Sequence, residues 1–85
     1  MGAHPTDFSG DIPTAVREAI EKAVPDAKVE VTGGGGHFSI VVRSGAFAGK
    51  SMVESHRLVL GSIKHLMAGD MAPVHAVDSL RTLPA

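Results

Sequence analysis

The chain has 85 residues and a formal net charge of −1, which makes it one small domain without the basic excess of a general polyanion binder. It has no cysteine, so disulfides and thiolate ligands are excluded, and any metal held here must meet His or carboxylate. No apolar run reaches the roughly 18 residues of a membrane span, and no signal-peptide pattern opens the chain, so the expectation is a cytoplasmic protein with no membrane partner.

Residues 1–10 lack periodicity and are punctuated by Gly and Pro, so they read as a flexible leader to a single domain over 11–85. A helix is predicted from about Pro13 to Val24. Ile12, Val16, Ala19, Ile20, Ala23 and Val24 recur at helical spacing, Asp11 supplies an N-cap, and Pro25-Asp26 stops the run. Lys28 to Thr32 alternates polar and apolar side chains, the pattern of a strand with one solvated face. The four glycines Gly33 to Gly36 are expected to form a turn with a flexible tip. Phe38 to Arg43 then resumes as a more buried strand, completing a β-hairpin.

Ser51 and Glu54 fit a capping box that opens a second helix. Met52, His56, Val59, Leu60, Ile63, Leu66 and Met67 then predict one continuous apolar stripe. Gly61 interrupts its outer side, either for close packing or as a break into two helices. Gly69-Asp70 ends the segment, and Val74 to about Leu83 forms the last strand. A strand, a helix and a strand make a crossover, so the second and third strands are expected to be parallel. The fold class that follows is α/β: a small α-β-β-α-β domain whose three-stranded mixed sheet carries its helices on one face. The other face is left to solvent or a partner.

Five histidines are the candidates for chemistry. His4 lies in the leader, and His65 follows Lys64 near a helix end, where the dipole favours a cation. His56 falls on the apolar stripe, as a half-buried His bonded to backbone or as a ligand. His75 reads either as a solvated strand-end His or as a ligand. His37 stands at the start of the second strand. If the second and third strands are parallel neighbours, both begin at one end of the sheet, ~4.8 Å apart. His37 and His75 then converge on one ion, and because two imidazoles cannot fill a tetrahedral site, a partner must supply the rest.

Arg43, Lys50, Arg57 and Lys64 recur every seven residues, either as solvated charges or as a basic patch for an acidic partner or a nucleic-acid backbone. Arg57 and Lys64 are expected on one helix face. Gly45 to Ser51 ends like a phosphate-binding loop, but that motif needs Gly where Ser44 stands. The glycine run leads into a strand instead of a helix, unlike a dinucleotide loop. No Ser/His/Asp set or paired carboxylate stands at a catalytic spacing, and the expectation is that the protein is not an enzyme.

Four segments in order, Gly36-His37-Phe38, Phe47-Ala48-Gly49-Lys50-Ser51, His56-Arg57-Leu58-Val59 and Val74-His75-Ala76, resemble the BolA family of small iron–sulfur-associated proteins. The resemblance covers about residues 12–82 and implies a fold similar to the type II KH fold. It also implies a partner, a monothiol glutaredoxin acting with glutathione. A 2Fe-2S cluster bridges such a pair, with thiolates from the glutaredoxin cysteine and from glutathione, so this chain alone would hold no cofactor. The family's ligand histidine matches His75. A second ligand, His or Cys, comes from the loop between the first two strands, where His37 stands. The residue used there varies in position, and the glycine run is a departure that sets His37 apart from His75. Lys50 and Arg57 match basic motif positions and are assigned to the partner or nucleic-acid surface. The implied function is a non-catalytic adaptor in iron–sulfur trafficking or iron sensing. The alternative is a nucleic-acid-binding transcriptional regulator with DNA as partner. A metal-free interaction module is the blandest reading, and a homo-oligomer is compatible with each.

Overall fold

The structure, a computed structural model, describes residues 11–85. The expected leader over 1–10, with His4, lies outside the described residues. Helix α1 spans Ile12–Ala23. Asp11 caps it: its carboxylate accepts from the Thr14 amide at 2.9 Å and from the Thr14 hydroxyl, satisfying an otherwise orphan donor. Val16 and Ile20, one turn apart, are fully buried. Val24 closes the helix and is buried as well. Asp26 adopts a left-handed φ of 53° that turns the chain into the sheet.

Strands β1 (Lys28–Gly34) and β2 (His37–Arg43) form the antiparallel hairpin. The expected four-glycine turn is corrected here. Gly33 and Gly34 belong to β1, opposite Phe38 and His37, and only Gly35 and Gly36 form the turn. Both have positive φ, 62° and 86°, as a two-residue hairpin turn that follows the sheet's twist requires. Gly33 is glycine for a different reason. At its φ of 122° a Cβ would lie 2.3 Å from the His37 carbonyl oxygen. The tip is not a loose loop either, since the Gly36 carbonyl accepts the amides of both His75 and Ala76, at 2.7 and 2.9 Å.

After a 3-10 turn at Gly45–Phe47, the capping box forms as expected. The Glu54 amide donates to Ser51 Oγ at 3.1 Å, and the Ser51 amide donates to Glu54 Oε1 at 2.9 Å. The single long stripe does not persist. Helix α2 spans Met52–Ser62 and a short α3 spans Lys64–Met67, with Ile63 between them at φ −113°, ψ 9°. The break into two helices, one of the two readings open at Gly61, falls two residues after it, at the fully buried Ile63. The buried line of α2 is Ser55–Val59, continued by Ile63, while Met52 is 71% exposed and Leu60 also faces outward. Arg57 and Lys64 therefore stand on different helices.

Strand β3 is Ala76–Leu83, shorter than expected by Val74 and His75. The sheet order is β1-β2-β3, with β3 parallel to β2, so the central strand is the second one and the mixed three-stranded sheet is as expected. Phe38, Ile40 and Val42 alternate along β2 into the core, which they share with Val16, Ile20, Val59, Ile63 and Val74. The interleaved set, including His37, Ser39, Val41 and Arg43, faces away from the helices. No helix among the described residues is long and apolar enough to cross a membrane.

Candidate functional site

The parallel pairing of β2 and β3 places His37 opposite Ala76, so His75 sits one residue before that rung. The two imidazole rings lie with centroids 5.6 Å apart, tilted by 43°. This is the convergence expected from two strands that start at the same end of a sheet. One detail differs: His75 precedes its strand instead of standing inside it.

His75 is held by its neighbours. Val74 is fully buried, and its amide donates to the Leu66 carbonyl of α3 at 3.0 Å. The His75 amide donates to Gly36 on the hairpin turn. The backbone on both sides of His75 is thus anchored while the residue itself is exposed. A small cleft of about 280 Å³ lies beside it, lined by Met67, Gly69, Asp70, Ala72, Val74 and His75.

Sequence reasoning missed Asp78. Its Oδ1 lies 3.1 Å from Nδ1 of His37, on the face of the sheet away from the helices. Its place beside His37 depends on the register between β2 and β3, which the sequence of neither strand displays.

Lys50 and Arg57 are exposed, Lys50 just before the N-cap of α2 and Arg57 within that helix. They do not join the histidine pair. β2 runs away from His37 and delivers the chain to Lys50 at the far end of the sheet, and the crossover then returns to His75. Two apolar residues beside them, Met52 and Val53, are exposed at 71% and 58%. His56 is half-buried on α2, and His65 is exposed. His65 lines a larger hollow of about 960 Å³ between α1 and α3 that contains none of the expected site residues. Among the described residues no group of three or more His, Cys, Asp or Glu could hold a metal ion.

Comparison with known proteins agrees with the fold. A family model described as BolA-like protein matches residues 14–83. The solved structure of yeast Fra2 is 32% identical, covering 87% of this chain and 80% of that one, with a TM-score of 0.65. A BolA homologue from Coxiella burnetii is 29% identical over 88% of this chain and 92% of that one, with a TM-score of 0.72. The BolA domain of SufE1 from Arabidopsis thaliana is 27% identical over 91% and 95%, also with a TM-score of 0.72. No curated protein sequence matches the chain.

Proposed function

The chain belongs to the BolA-like protein family, and from that premise we propose a non-catalytic adaptor that works in the cytoplasm with a monothiol glutaredoxin. With glutathione, the pair would share a bridging 2Fe-2S cluster for iron–sulfur trafficking or iron sensing. The observation that carries this reading is the exposed His37–His75 pair at the common start of two parallel strands.

The donor set suits a shared group. It offers two imidazoles and no thiol, so a soft iron centre takes its thiolates from the partner. His75 is the first ligand in this reading and His37 the second. When bound, the cluster supplies a transferable redox centre, whose potential is raised by imidazole in place of thiolate. The protein's contribution is to hold two rings at a fixed separation, through the anchored Val74 and the Gly36 carbonyl. Lys50 and Arg57 are assigned to a second area of the partner surface, next to the exposed Met52 and Val53.

Anaerobic cluster reconstitution with a monothiol glutaredoxin and glutathione tests this, read by visible absorption, circular dichroism and complex size. A one-to-one complex is expected, with a spectrum distinct from that of glutaredoxin alone. His75→Ala is expected to abolish it while leaving the free protein folded, since the residue is exposed and its amide hydrogen bond to Gly36 does not depend on the side chain. No complex and an unchanged glutaredoxin spectrum would sink the adaptor reading. The DNA-binding alternative, which leans on likeness to the type II KH fold, then requires that Lys50→Ala and Arg57→Ala weaken binding and flatten its salt dependence.

A further inference from the structure

The contact between Asp78 and His37 has no role in the function described so far. It arises at an irregularity in the sheet. β3 pairs Ala76 with His37 and Val77 with Phe38, then moves on to Ser79 opposite Ser39. Asp78 is the extra residue, with no rung partner of its own. Bulges of this kind re-aim side chains, and here the carboxylate meets Nδ1 of His37 at 3.1 Å.

An ionised carboxylate can only accept hydrogen bonds. The neutral imidazole facing it therefore carries its proton on Nδ1 and keeps its lone pair on Nε2. We infer that Asp78 is a positioning residue for His37: it holds the ring and its Nδ1–H tautomer, so that Nε2 is the atom offered to a metal shared with a partner. Metal-bound histidines generally donate their other N–H to a carboxylate or carbonyl, which fixes the ring and raises its basicity. Both side chains are about half accessible, at 53% and 57%. Charge attraction in such an exposed pair contributes little to stability, so the contribution of the contact lies in its direction. The metal half of the inference rests on the adaptor reading above, and the tautomer half stands without it.

Proton–nitrogen correlation NMR of the ring nitrogens in the free protein, at a pH where the ring is neutral, tests the tautomer. Wild type is expected to show His37 as Nδ1–H. Asp78→Ala releases it toward Nε2–H, and Asp78→Asn, which keeps an oxygen acceptor, retains it. In the cluster-bound pair with glutaredoxin and glutathione, Asp78→Ala is expected to weaken the complex by about 10- to 100-fold, with Asp78→Asn closer to wild type. An Nε2–H ring in wild type, or a tautomer indifferent to Asp78→Ala, overturns the inference whatever the pair does. A tautomer switch with an undiminished pair overturns the metal half. A tautomer switch in a protein that forms no pair even as wild type supports the hold of Asp78 on His37 and sinks the adaptor reading instead.

Discussion

The two ends of the sheet use their polar groups in opposite ways. Where β2 and β3 finish, Ser44 is fully buried and its side chain is consumed by the fold. Its Oγ donates to the Pro25 carbonyl at 2.6 Å and accepts from the Ala46 amide at 3.0 Å, while its own amide reaches the Leu83 carbonyl at 2.9 Å. Where the strands begin, the backbone does the closing. Gly36 accepts two amides and Leu66 accepts the Val74 amide, and His37, His75 and Asp78 remain at the surface. Buried backbone groups must find partners somewhere. At one end a side chain meets part of that demand, and at the other the Gly36 and Leu66 carbonyls meet it while His37, His75 and Asp78 stand at the surface.

Substitutions can break or sharpen this contrast. The largest effect is expected between the ends, at Ile40, which is fully buried on β2. Ile40→Ala should cost about 2–5 kcal/mol and loosen both ends together, read from the denaturant midpoint by circular dichroism. Against a total of only about 0.05–0.15 kcal/mol per residue, that is a large share of the stability of an 85-residue chain.

Ser44→Ala acts at the closed end alone. It removes two part-buried hydrogen bonds, one to the Pro25 carbonyl and one from the Ala46 amide, a loss of about 1–3 kcal/mol at 0.5–1.5 for each bond. The imidazole resonances of His37 and His75 should stay in place as the melting temperature falls. If they move, the two ends are coupled and the contrast fails.

The smallest effect concerns acid stability at the start of α2, near the closed end. Hydrogen bonds from the Ser51 amide and hydroxyl hold the Glu54 carboxyl below the usual carboxylate range. A depressed folded-state pKa stabilises the protein above the unfolded pKa, and that stabilisation is lost as pH falls through the folded one. Glu54→Gln keeps the capping-box geometry and removes the charge. A melting series from neutral to acid pH should therefore show a shallower acid decline in Glu54→Gln than in wild type. Equal slopes would show that the carboxylate contributes nothing beyond its hydrogen bond.

Much of this arrangement was readable from local chemistry. Asp11 and the Ser51–Glu54 pair announce their helices because a cap satisfies donors only a few residues away. Convergence of His37 and His75 followed once a crossover made their strands parallel. The failures share another cause. Met52 and Leu60 fall on the predicted stripe, yet the core takes the line of Ser55, Val59 and Ile63 and leaves those two outside, a choice of helix face that is tertiary. Gly33 and Gly34 carry no side chains to alternate, so their place in β1 is visible only from the partners across the hairpin. Asp78 becomes an unpaired residue through the register between two strands, a property neither strand has by itself.

The double acceptance at Gly36 also bears on the order of assembly. The hairpin is local and can close early, whereas docking β3 requires a loop containing α2 and α3 to be closed first, the slower kind of pairing. Until it docks, the chain displays one histidine of the pair. In the proposed adaptor a chain with the hairpin alone would hold half of the site, so engaging a partner through both rings would itself report that the domain has finished folding.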